Sequence, residues 1–110
     1  MALVAFSFFG SIFAMDIGGT YSVDGKNPNG SGYQGIVVIE EIGDLEYSFS
    51  WQIGDESYAG SGTLEENVLT VDWGQAEPVI YTVSPDGSKL IGIWGPDGSG
   101  SEILTRSDSE

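Results

Sequence analysis

From Gly19 onward the chain is interrupted, at spacings of roughly eight to twelve residues, by clusters of Gly, Pro, Asn and Asp. That rhythm limits the possible folds more than any other feature. Stretches this short suit β-strands and leave no room for ordinary helices. Gly43-Asp44, Gly54-Asp55, Glu66-Asn67, Pro85-Asp86-Gly87 and Pro96-Asp97-Gly98 place proline where φ is fixed, and Gly, Asp or Asn where positive φ is needed. The segments between them predict about eight strands, at 19–23, 33–40, 45–52, 57–64, 68–73, 79–83, 89–94 and 101–105. Each tight turn should make a strand pair antiparallel with the next.

Period two within these strands selects one apolar face. Leu45, Tyr47, Phe49 and Trp51 alternate with Glu46, Ser48, Ser50 and Gln52. Leu69, Val71 and Trp73 form a second row, Val79, Tyr81 and Val83 a third, and Leu90, Gly92 and Trp94 a fourth. A sheet with one apolar face must bury it. Curling the meander into an up-and-down barrel does so and also removes the open edges. A two-sheet β-sandwich is the alternative all-β arrangement. Glycines at 35, 60, 62 and 92 fall on the presumed inward face, where they give facing rings room or leave space for a ligand.

At 110 residues the chain supports one hydrophobic core. It has no Cys and no His, which removes disulfides, thiolate chemistry, imidazole catalysis and the commonest zinc ligands. The net charge of −14 repels phosphate backbones and argues against a nucleic-acid partner. Residues 2–14 carry no charge, are rich in Phe, Leu, Ile and Val, and end in a small residue. They read as the apolar region of a secretory signal peptide cleaved after Ala14, although no basic residue precedes them and Ile12 is bulky for its position. This organisation gives a signal segment over 1–14 and one barrel domain over 15–110. The expected location is secreted or periplasmic, with no stable membrane insertion after cleavage.

The three tryptophans stand at 51, 73 and 94, spacings of 22 and 21 residues. Each spacing is one strand-turn-strand unit, so the indoles at the ends of the third, fifth and seventh strands should gather inside one end of the fold. Trp51, Trp73 and Trp94, with Tyr33 and Tyr58, are the candidate ligand-binding residues. Aromatic rims of barrels are natural binding places, since a ring offers much apolar area at little entropic cost. The competing reading is that the rings plug the barrel end and satisfy their N–H groups internally.

Other candidates are weaker. Asp24 to Gly30 has the look of a calcium loop, but Lys26 and Pro28 stand where oxygen-bearing side chains are needed. Asp97, Ser99, Ser101 and Glu102 could offer oxygens to a cation, yet suit an exposed hairpin loop equally well. The acid pairs Glu40-Glu41, Asp55-Glu56 and Glu65-Glu66 fall at predicted turns, where water keeps carboxylates from acid–base work. No two carboxylates can be assigned to one groove. Neither a metal, a cofactor nor an enzymatic activity is expected.

The order Gly19-x-Tyr21-x-Val23, Tyr33-x-Gly35-x-Val37-x-Ile39, Gly43-Asp44-x-x-Tyr47-x-x-x-Trp51, Gly60-x-Gly62, Leu69-x-Val71-x-Trp73-Gly74, Tyr81-x-Val83 and Gly92-x-Trp94, closing on Glu102-x-Leu104, resembles a small domain of exported bacterial proteins. That family is mostly uncharacterised and in part labelled fibronectin-binding. The meander is also distantly similar to avidin and lipocalin barrels, from which no ligand-contacting residue carries over. These motifs are strand signatures and imply a fold more than an activity. The combined expectation is an exported, non-enzymatic binding module that recognises a small molecule, or an extracellular protein or glycan, through the aromatic barrel end. The alternative is a structural or adhesive domain with a filled core, making contacts through outer faces such as Ile36, Val38, Ile91 and Ile93.

Overall fold

The computed structural model describes residues 17–107. The signal segment expected over 1–14 lies outside the described residues. Eight antiparallel strands follow in order: β1 (Gly19–Lys26), β2 (Gly32–Gly43), β3 (Glu46–Ile53), β4 (Glu56–Glu65), β5 (Val68–Asp72), β6 (Val79–Val83), β7 (Lys89–Trp94) and β8 (Gly100–Arg106). Each pairs with its successor, and β8 pairs back onto β1 to close the barrel. The sandwich alternative is excluded by that closure. A tight turn through Pro96–Gly98, with Asp97 in the left-handed region at φ 56°, joins β7 to β8.

The inward rows expected from alternation form the core. Tyr47, Phe49 and Trp51 from β3, Leu69 and Val71 from β5, Val79, Tyr81 and Val83 from β6, and Leu90 from β7 are all buried. Tyr21 and Val23 from β1, Val37 and Ile39 from β2, Leu64 from β4, and Leu104 from β8 complete the lining. Phe49 stacks on Tyr81 with ring centroids 5.7 Å apart and planes 12° from parallel, an offset arrangement that fills the barrel middle. Gly92 makes this possible, because a Cβ there would stand 2.6 Å from the Tyr81 ring. At Gly92, then, the inward glycine admits a neighbouring ring and leaves no void.

Three boundaries differ from the sequence reading. Leu45, expected inward, is 50 % exposed and has φ 62° in the two-residue turn between β2 and β3. Alternation holds only along the ladder, and a left-handed residue outside it loses its parity. Asp24, Gly25 and Lys26 continue β1, paired with Gln34, Tyr33 and Gly32, so no calcium-like loop begins at Asp24. The turn that remains is held by its own side chains, with Asn27 Nδ2 donating to Ser31 Oγ at 3.0 Å and the Ser31 amide donating to Asn29 Oδ1 at 2.9 Å. Glu40 and Glu41 lie within β2, which reaches Gly43 through an irregularity between Glu41 and Gly43.

The end of the barrel where β1 begins is closed. Ile17 is fully buried there, and the Tyr21 hydroxyl donates to its carbonyl at 2.9 Å. The Arg106 guanidinium lies over the Tyr21 ring, 5.0 Å from its centroid, and donates to the Gly18 carbonyl at 2.9 Å and the Gly87 carbonyl at 3.3 Å. One cation thus ties β8, the segment before β1 and the β6–β7 turn together. That turn is fastened by Asp86, whose carboxylate accepts from the Ser88 amide and from the Ser84 and Ser88 hydroxyls. These bonds, led by the Ser88 amide, bring its pKa down to about 2.

Candidate functional site

At the opposite end, β3, β5 and β7 finish while β2, β4, β6 and β8 begin, so residues distant in sequence converge. A cavity of about 340 Å³ opens here, lined by Asn27, Tyr33, Trp51, Ile53, Glu56, Tyr58, Trp73, Val79, Trp94 and Glu102. All five residues singled out from the sequence are in its wall. Trp51 is the deepest at 6 % exposure, Tyr33, Trp73 and Trp94 are half-buried, and Tyr58 is 39 % exposed at the rim. Trp73 itself falls just past β5, which stops at Asp72, where the Asp72 carboxylate accepts from the Gly74 amide at 3.0 Å and turns the chain.

Four rings follow one another around the mouth. Tyr58 meets Trp73 at 6.2 Å and 67°, Trp73 meets Trp94 at 5.8 Å and 83°, and Trp94 meets Tyr33 at 6.3 Å and 61°. These edge-to-face contacts stiffen the wall without stacking the rings flat, so the gap between them stays open. Gly25 and Gly100 give two of the rings their seats. A Cβ on Gly25 would overlap the Tyr33 ring, and one on Gly100 would stand 2.5 Å from the Trp94 indole. Trp51 continues the wall inward, with its ring 5.3 Å from Phe49.

The floor holds a residue that sequence reasoning assigned to an exposed loop. Glu102 is 5 % exposed, the one charged residue buried among those described. Its Oε1 accepts from the Tyr33 hydroxyl at 2.8 Å, and its Oε2 accepts from Trp51 Nε1 at 3.1 Å and from the Tyr81 hydroxyl. Trp94 Nε1 donates in turn to the Tyr33 hydroxyl at 3.0 Å. Hydrogen bonds therefore run from the rim through Tyr33 to one carboxylate, which is how a buried acid is made tolerable. Burial, reinforced by the Glu102 charge, pushes both the Tyr33 and Tyr81 phenols well above the usual tyrosine range. Both stay proton donors across all ordinary pH.

Sequence alternation held one signal for Glu102, in that Glu102-x-Leu104 puts the acid on the parity of a core leucine. Its charge argued for the surface, and its partners lie 69, 51 and 21 residues away. The third indole is also satisfied, since Trp73 Nε1 donates to the Glu77 carbonyl at 3.0 Å and draws in the β5–β6 loop. The tryptophans therefore show two features at once. The N–H groups are spent internally, as a plug requires, while the rings still enclose a cavity.

The cavity wall also contains Glu56, whose carboxylate accepts from the Tyr58 hydroxyl. Two carboxylates thus face one cavity, an arrangement the sequence did not disclose. Glu102 has three of its acceptor sites filled by fixed donors, which suits a static charge better than a nucleophile or base. Among the described residues no group of His, Cys, Asp and Glu is placed to hold a metal ion.

Neither a known protein family nor a curated protein matches the sequence. Among solved structures the chain is similar to a redesigned β-barrel, with a TM-score of 0.60 and 13 % identity over 84 % of this chain and 92 % of that one. The likeness is one of fold alone.

Proposed function

We propose that the protein is a non-enzymatic binding module, exported as its N-terminal sequence suggests, that takes a small molecule into the aromatic end of its barrel. The observation that carries this reading is the 340 Å³ cavity left between rings whose polar groups are already satisfied. A barrel of eight strands usually fills its interior with its own side chains. Here the inward glycines seat rings and the rings leave a mouth. The volume lies near the lower end of ordinary ligand sites, so the ligand is compact. Mapping a library of small soluble fragments by the indole Nε1–H resonances tests the reading. Binding fragments should move the Trp73 and Trp94 signals, and a library that moves neither would contradict it.

A second reading has its own observation. Ile91 and Ile93 are 55 % and 49 % exposed on the outer face of β7, with Ile80 opposite Ile93 and Ile103 opposite Ile91. An apolar row across three strands supports an adhesive role toward another protein. Replacing Ile91 and Ile93 by Lys should abolish any such association and leave the fragment signals at the mouth unchanged.

A further inference from the structure

Every ionisable side chain on the cavity wall is a carboxylic acid or a phenol. From that wall we infer that the site takes a compact organic cation, of the quaternary ammonium or methylated amine class, held between the rings of Trp73, Trp94, Tyr33 and Tyr58 and within the field of the Glu102 carboxylate. The inference rests on the reading of this barrel end as a ligand site and adds the charge of the ligand.

Three observations converge on it. The first is the arrangement of the rings. Successive planes turn by 67°, 83° and 61°, so the wall presents aromatic surface from several directions. Ring faces attract cations through their quadrupoles, tryptophan most strongly, and several rings around one ammonium add their attractions.

The second is the charge of the surroundings. Glu102 and Glu56 line the cavity and no Lys or Arg does. The chain has three cationic residues. Arg106 and Lys89 belong to the closed end, and Lys26, at the mouth end of β1, stands on that strand's exposed parity. An anion would meet two carboxylates and no counter-charge. A cation meets a carboxylate shielded from water, whose field is weakly screened.

The third is the shortage of free donors. The indole N–H of Trp51 is given to Glu102, that of Trp73 to the Glu77 carbonyl and that of Trp94 to Tyr33, while Tyr33 and Tyr58 donate their hydroxyls to Glu102 and Glu56. A sugar demands donors and acceptors in comparable number, and this wall has few donors left. A methylated ammonium asks for neither, needing only π surface, negative potential and release from water.

The test is calorimetric titration of the full chain with choline and with its uncharged carbon isostere, in which a tert-butyl group replaces the trimethylammonium. Choline should bind about tenfold tighter or more, the difference being the charge alone. Trp73→Leu should weaken choline by about tenfold, and Glu56→Gln should weaken choline while leaving the isostere unchanged. Equal affinities for the two compounds would overturn the cation and leave the cavity as a site for neutral ligands. Binding of neither would overturn the cation as well, and the fragment mapping described above then decides whether the site itself survives.

Discussion

The two ends of the barrel are built from the same strands and have opposite character. At the closed end Arg106 lies over Tyr21 and bonds two carbonyls, Ile17 fills the opening, and the turns are short. At the open end an acid takes the place of the cation, Glu102 is bonded by side chains only, and four rings stand edge to face around a gap. Each end thus sets a charged side chain against aromatic rings. Arg106 binds backbone carbonyls of separate segments and locks them together, whereas Glu102 gathers phenols and an indole and leaves the backbone free. The difference teaches that one end closes the barrel and the other leaves a cavity between its rings.

That contrast sets an order of expected effects. Trp51→Ala should be the most damaging, about 3–5 kcal/mol in urea unfolding, because it opens a cavity beside Phe49 and deprives Glu102 of a donor. Arg106→Ala should cost about 2 kcal/mol through its two carbonyl bonds and its ring contact, with no effect on fragment binding at the far end. A loss of fragment binding in that variant would break the separation of the ends.

Alkali should act in part through the phenols bonded to Glu102. The folded pKa of Tyr81 is raised above its unfolded value of 10.0, so the unfolded chain gives up the proton first. Stability from this group is therefore complete below about pH 10 and falls as pH rises above it, with a limiting slope of about 1.4 kcal/mol per pH unit. Urea midpoints from about pH 9 to about pH 11 should show the decline, and Tyr81→Phe should lessen it. The smallest effect on stability belongs to Trp73→Leu, about 1 kcal/mol, since that ring stands half-buried at the rim and its N–H bond reaches a loop. A cost near that of Trp51→Ala would mean that the mouth is core.

Much of this architecture was legible in the sequence, because turns and alternation are local. The turn clusters gave the number and order of strands, and a repeat of 22 and 21 residues between tryptophans put three indoles at one end without any knowledge of closure. What was hidden depended on contacts across the barrel. Glu102 suits an exposed hairpin loop when read locally, whereas the donors that permit its burial come from β2, β3 and β6. Leu45 was placed inside because alternation cannot announce where a left-handed turn residue ends it. Asp24 to Lys26 resembled a loop because glycine inside a strand is a weak strand signal. The overlying Tyr33 ring supplies the missing side chain from the neighbouring strand.

Accessibility of the individual indoles tests the difference between the ends most directly. In variants that retain one tryptophan each, with phenylalanine at the other two positions, acrylamide should quench Trp73 and Trp94 readily and Trp51 poorly. Equal and strong shielding of all three rings in a monomer would mean that the barrel is plugged at both ends, and the proposed site would be gone.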